Sequence, residues 1–160
     1  METEPAKLTR TTYERLQQEL EELTTKGRIE IAHAIEAARA LGDLKENGDY
    51  HAAKDAQGKM EARVRQLQQM LKHAVVVDAA DGHDGSVSEG TIVTIRYVGD
   101  DEDDTQDLFF GSIEERHGDV SVVSPGAPLG QALAGAKAGD VVAYEAPGGR
   151  LEVEVVAVRA

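Results

Sequence analysis

A chain of 160 residues, 41% hydrophobic and 29% charged, is long enough for one ordinary domain or two small ones and has the composition of a folded, soluble protein. Its net charge of -13 argues against high-affinity binding of DNA or RNA by the chain alone, because phosphate recognition depends on Lys and Arg displacing counterions. The absence of cysteine excludes disulfides, thiol nucleophiles and thiolate zinc sites; no apolar run could span a bilayer and METEPAKLTR lacks the pattern of a signal peptide, so the expectation is a cytoplasmic protein with no membrane partner.

In chain order, the first element is a helix. Thr9 is placed to cap it, and Tyr13, Leu16, Leu20 and Leu23 follow at alternating spacings of three and four, the seam of a coiled coil. The stripe resumes at Ile31, Ile35 and Ala38, beyond an awkward mid-helix Gly27. A second seam runs through Ala53, Met60, Val64, Leu67, Leu71 and Ala74, with charged residues and Gln on the other faces. Two single-stripe helices joined by a short turn fold back as an antiparallel hairpin, so residues 1–77 read as a coiled-coil hairpin. With roughly 30 residues in each arm, a rise of 1.5 Å per residue gives a rod about 45 Å long.

Residues 41–49, LGDLKENGD, form the tip and place Asp43, Glu46 and Asp49 within seven residues. Spacing allows a capping explanation: Gly42 ends the first helix, Asp43 is the N-cap of the second, and Glu46 is its partner three residues on in a capping box. Leu44 then folds over the seam, and Asp49 faces a helix N-terminus. The competing explanation is that the carboxylates carry chemistry, and spacing alone leaves both open.

DAADGHDGSVSEG, residues 78–90, has no apolar period and reads as a linker. Beyond it, residues 91–160 carry strand-like runs at 91–98, 107–113, 120–124, 141–146 and 151–158, with one helical segment at 129–136. These predict a small α+β domain of about five strands and one short helix. Asp100 to Asp104, DDEDD, falls between two strands as a solvated loop. His33, His73, His83 and His117 show no ligand spacing, so no metal role is expected of them.

LGDLKENGDYHAAK followed by QGKMEARVRQLQQML closely resembles the tip and second helix of the GreA/GreB family of bacterial transcript cleavage factors, whose motif is Gly-Asp-Leu-(Lys/Arg)-Glu-Asn and then Tyr-His-Ala-Ala and a basic residue. The opening LTRTTYERLQQELEEL and the later SPGAPLGQALAGAKAGDVVAY extend the resemblance over nearly the whole chain. It implies an α+β protein: an N-terminal antiparallel coiled-coil hairpin followed by a small FKBP-like domain. It also implies a partner, bacterial RNA polymerase, whose secondary channel the hairpin enters to stimulate hydrolysis of backtracked nascent RNA. The polymerase, not this chain, is the enzyme, and the RNA 3′ end is met only inside the complex.

The positions matching the family's acids are Asp43 and Glu46, which the resemblance assigns to a Mg²⁺ shared with the polymerase active centre. Two exposed carboxylates are too few to hold magnesium tightly alone, yet they can complete a shared site in which the attacking water is oriented or deprotonated. Arg39, Lys45, Asn47, Tyr50, His51 and Lys54 match positions placed to contact polymerase or RNA, although surface charge and packing of Tyr50 on the other arm account for them equally well. Pro128 and Leu129 match a segment that docks outside the channel, and here Ala127 stands where a Ser is common.

Three function classes are open: a GreA-like cleavage factor, a secondary-channel regulator without cleavage activity, and a prolyl isomerase suggested by the FKBP-like fold alone. The presence of both acids favours the first, and a sparsely basic hairpin favours the GreA over the GreB side. Two Phe, four Tyr and no Trp leave little from which to build an isomerase pocket.

Overall fold

The computed structural model describes residues 5–42, 47–78 and 84–160. The chain divides into two compact units, Tyr13–Ala74 and a second made of Met1–Thr12 with Val75–Ala160.

The helical unit comprises most of α1 (Arg10–Glu22), a π-helical turn (Leu23–Gly27), α2 (Arg28–Arg39) and α3 (Gly48–His73). Thr9 caps α1 as its sequence position suggests, its Oγ1 accepting from the Thr12 N–H at 3.3 Å. The arms are antiparallel and meet along the expected seam: Leu16, Ala38, Val64 and Leu67 are buried, while Leu20, Ile31, Ile35, Ala53, Met60 and Leu71 are half-buried. A two-helix seam has no third layer to cover its flanks, so half-burial is its normal condition. Two bidentate ion pairs join the arms, Arg63 to Glu19 at 2.8 and 3.0 Å and Arg28 to Glu61 at 3.0 and 3.1 Å.

The capping box expected over Asp43 and Glu46 does not start the second arm. α3 begins at Gly48, and its N-cap is Asn47, whose Oδ1 accepts from the Tyr50 N–H at 3.0 Å. Asn succeeds here because its amide both accepts and donates: Nδ2 also donates to the Ala38 carbonyl at the end of α2, a bond no carboxylate can make.

In the second unit, β1 (Lys7–Leu8) and β2 (Val75–Val76) pair in parallel, bringing together the chain segments before and after the helices. Both strands are too short to show a period, and neither is predicted. The main sheet holds β3 (Ile92–Tyr97), β4 (Gln106–Phe110), β5 (Ser121–Val123), β6 (Val141–Ala146) and β7 (Gly149–Arg159) in the order β5-β4-β3-β7-β6. Every pairing is antiparallel except β4 with β5. One short helix, α4 (Pro128–Leu133), contributes Leu133 to a core with Val93, Ile95, Leu108, Phe110, Val153 and Val155. The protein is therefore α+β, with all five strands and the one helix near their expected positions. A bulge opposite Thr94 and Ile95 skips Val156, leaving it 41% exposed between the inward Val155 and the next paired residue.

The units divide differently from the boundaries read in the sequence. Residues up to Thr12 join the sheet unit through β1. Residues 84–90 of the expected linker also belong to it: Val87 is buried, its N–H donates to the Ala136 carbonyl, and Ser86 bridges to Lys137. Glu115, 1% exposed, ties the N-terminal segment down by accepting from the Thr9 N–H at 3.1 Å and the Thr9 hydroxyl at 2.8 Å. His117 Nε2 lies 2.8 Å from the same carboxylate, and its ring stacks on Phe109.

Candidate functional site at the hairpin turn

The turn joining α2 to α3 is fixed at both ends. On the α2 side, successive N–H groups of Ala40, Leu41 and Gly42 donate to Glu36, Ala38 and Arg39 carbonyls, winding the helix down. Gly42 then takes φ +125°, a conformation that favours glycine, and ends the helix as its position in the sequence suggests. On the α3 side stands Asn47, bonded to both arms. The Ala38 carbonyl thus receives Leu41 N–H and Asn47 Nδ2 together, so the last turn of α2 and the first turn of α3 share one acceptor.

Around this lock, the Arg39 guanidinium lies 5.9 Å from the centre of the Tyr50 ring, within cation–π range, and His51 meets Tyr50 edge-on with ring centres 5.7 Å apart. Tyr50 is half-buried, whereas Arg39, His51 and Lys54 are exposed. Lys54 Nζ donates to Gln57 at 2.9 Å, and Ile35, Arg39, Tyr50 and Lys54 line a shallow groove beside the turn. Leu41, 70% exposed, presents an apolar side chain on the same end of the rod.

Asp43, Lys45 and Glu46, with Leu44, lie outside the described residues. Their chemistry is that of two hard oxygen donors and one cation within four residues, a donor set that suits magnesium but supplies a minority of its six ligands. Among the described residues no three His, Asp or Glu side chains gather into a group able to hold a metal.

The remaining predicted residues separate. Pro128, exposed, occupies the first turn of α4, while Leu129 packs against the core of the sheet unit. The neighbouring glycine is obligatory: a Cβ on Gly130 would stand 1.8 Å from the Ser124 carbonyl oxygen. Ala127 caps α4 without a side-chain bond. Sequence reasoning missed the bridging role of Asn47 and the two bidentate ion pairs. Charged partners more than thirty residues apart carry no local signal, whereas Asn three residues ahead of an aromatic-rich first turn is a readable cap.

An acidic turn on a helical hairpin, carried in one chain with a five-stranded α+β unit, defines a two-part protein of hairpin and sheet. Residues 6–76 match the family described as Transcription elongation factor, N-terminal, and residues 82–160 match Transcription elongation factor, GreA/GreB, C-term. Transcription elongation factor GreA of Streptomyces avermitilis is 49% identical over 144 residues, covering 90% of this chain and 86% of its own. That of Saccharopolyspora erythraea is 46% identical over 157 residues, covering 97% and 94%. A solved structure of GreA factor homolog 1 from Thermus thermophilus is 27% identical and covers 98% of this chain and 99% of its own, at a TM-score of 0.39. The chain belongs to the GreA/GreB family of transcription elongation factors. No helix among the described residues is long and apolar enough to cross a membrane.

Proposed function

We propose that this protein is a GreA-like factor that stimulates the intrinsic transcript-cleavage activity of bacterial RNA polymerase on backtracked RNA, acting from the cytoplasm and not itself a catalyst. The observation that carries the reading is the family match over both halves of the chain, together with the retention of both Asp43 and Glu46 in the hairpin turn. The same acids favour it over the second reading, a channel-binding regulator that does not promote cleavage.

In this reading the hairpin enters the polymerase secondary channel and brings the turn to the active centre. Asp43 and Glu46 are the residues that would hold, jointly with the polymerase, a shared magnesium ion, and their carboxylates would orient the attacking water. When bound, that ion supplies charge stabilisation and a more acidic water for phosphodiester hydrolysis. Asn47 and Tyr50 hold the turn's exit and lie beside the groups that meet the polymerase or RNA. Arg39, Lys45, His51 and Lys54 contact the polymerase or the RNA 3′ end. Exposed Pro128 docks outside the channel, and Leu129 supports it from the core.

The test is cleavage of radiolabelled RNA in stalled, backtracked elongation complexes with and without the protein, beside the protein and RNA without polymerase. Faster cleavage only when polymerase and protein are both present supports the reading. Equal cleavage with and without the protein, or RNA cutting by the protein alone, overturns it.

A further inference from the structure

The first arm contains a departure from α-helical winding that its neighbours hold in place. Its inward positions are Leu16, Leu20, Leu23, Gly27, Ile31, Ile35 and Ala38, at intervals of four, three, four, four, four and three. From Leu16 to Ala38 the stripe advances one residue more than three heptads. Relative to a heptad seam, that residue would turn the face of a continuous α-helix by roughly 100°. At Leu23–Gly27 the winding is π, with the Arg28 N–H reaching back to the Leu23 carbonyl, and a wider turn takes up one residue without rotating the helix beyond it.

The side chains at this place serve the wide turn. Thr24 Oγ1 donates to the Leu20 carbonyl at 2.8 Å and Thr25 Oγ1 to the Glu21 carbonyl at 2.7 Å, side-chain donors to the carbonyls just before the wide turn. Gly27 lets the arms approach, since a Cβ there would stand 3.2 Å from Met60 Sδ. The two bidentate ion pairs bracket the turn, Glu19 before it and Arg28 after it, and both reach the same short piece of α3, at Arg63 and Glu61. A locally unfavourable winding persists where its surroundings over-determine it.

We infer that the π turn is a register adapter: it stores the arm's surplus residue so that Ile31, Ile35 and Ala38 stay in phase with α3 and the Ala38 carbonyl meets Asn47. Thr24, Thr25 and Gly27 are then positioning residues for the acidic turn. The structural part stands on the helix geometry alone, and its consequence for cleavage rests on the function proposed above.

Removing one residue inside the adapter converts it to ordinary helix and leaves both flanks in phase; removing one elsewhere does not. The test compares the full-length chain lacking Thr25 with one lacking Ala62, an exposed residue of α3 opposite the turn where the winding is unbroken α. Melting followed by the helical circular-dichroism signal is expected to leave the Thr25 deletion within about 3 °C of the parent or above it, and to lower the Ala62 deletion by more than about 10 °C, a shift of the size a lost seam produces. A Thr25 deletion that falls as far as the Ala62 deletion overturns the inference, as does an Ala62 deletion as mild as that of Thr25. Replacing both threonines by Val should speed amide exchange at residues 26–28, and replacing both by Ser should restore it; equal exchange in the Val pair and the parent also counts against the adapter. In the cleavage assay the Ala62 deletion, which breaks the phase, should stimulate at least about tenfold less than the Thr25 deletion. If the parent itself gives no stimulation, the proposed function fails while the melting comparison still decides the adapter.

Discussion

The two units are held together by different means. Among the described residues of the hairpin only Leu16, Ala38, Val64 and Leu67 are buried, and its registration depends on directional contacts: the Glu19–Arg63 and Arg28–Glu61 pairs, the Asn47 bridge and the π turn. In the sheet unit a closed core around Ile95, Leu133, Val153 and Val155, each wholly buried, fixes position by filling space. A two-helix rod keeps its registration by phase and direction; a packed sheet keeps its own by volume. Substitutions that change charge or direction should therefore be felt in the hairpin, and those that change volume in the sheet.

The largest expected effect tests whether the hairpin's turn carries chemistry rather than structure. Asp43→Asn and Glu46→Gln remove charge at nearly constant shape, and α3 is capped by Asn47 rather than by either acid. Each variant should melt with the parent and bind polymerase equally, yet lose cleavage stimulation by roughly a hundredfold or more, the scale of a lost acid–base or metal-orienting group. Such variants should also compete with the parent protein. Parental cleavage by both variants would end the assignment of these acids.

Next comes a pair of glycine substitutions chosen to separate the units. Gly130→Ala drives a Cβ to 1.8 Å from the Ser124 carbonyl, backbone against backbone, and should cost the sheet unit about 3 kcal/mol. Gly58→Ala, in the middle of α3 with nothing within 4 Å of the added carbon, should instead stabilise the hairpin by about 0.5–1 kcal/mol. Urea unfolding followed by helical signal for the hairpin and by amide exchange at β3 and β7 for the sheet unit reads the two. Changes of the same sign would show that the close packing around Gly130 is not what limits that position.

Asn47 sharpens the account of the hairpin itself. Asn47→Ala removes the cap and the bond to Ala38 and should cost about 1–2 kcal/mol, the range of a lost N-cap. Asn47→Asp keeps the acceptor for the Tyr50 N–H but sets a carboxylate against the Ala38 carbonyl, so it should fall between the parent and Ala. If Asp equals Asn in a helical melt, the bridge between the arms contributes nothing and capping alone explains the residue.

Legibility in the sequence divides along the same line. The strands at 91–98 and 141–146 were readable because runs of β-branched and aromatic residues are a local signal, whereas the bulge that skips Val156 depends on pairing with β3 and is not. β1 and β2 were not readable because two residues carry no period and their pairing joins positions nearly seventy residues apart. At the turn, Asp43, Asn47 and Asp49 can all cap a helix, and what selects Asn47 is a donor reaching the Ala38 carbonyl nine residues back. Gly27 looked like a defect, since the reason for it, Met60 on the other arm, is not local either. The role proposed for the acids rests on resemblance, because Asp and Glu three residues apart serve a cap as readily as a metal.

The smallest expected effect belongs to the sheet unit and concerns Tyr144 on β6, whose hydroxyl lies 2.8 Å from that of Tyr97 on β3, across the intervening β7. Burial, with the hydrogen bond to Tyr97, pushes the Tyr144 phenol up to about 12 from its ordinary value of 10. Between those values the unfolded chain has lost a proton that the folded chain keeps, so the folded state binds more protons and stability falls as pH rises; below about 10 both states are neutral and the contribution is intact. Lysines titrate in the same window, so the measurement is the difference between two proteins: urea midpoints of the parent and of Tyr144→Phe from pH 9 to 11.5. The variant should lose stability less steeply, and Tyr97→Phe, which removes the hydrogen bond but leaves Tyr144 packed against the core, should lie between them. The hairpin's helical signal should show no corresponding change in slope, since Tyr13 and Tyr50 pack elsewhere. Parallel curves for all three proteins would mean that the Tyr144 phenol ionises as freely in the folded sheet as in the unfolded chain.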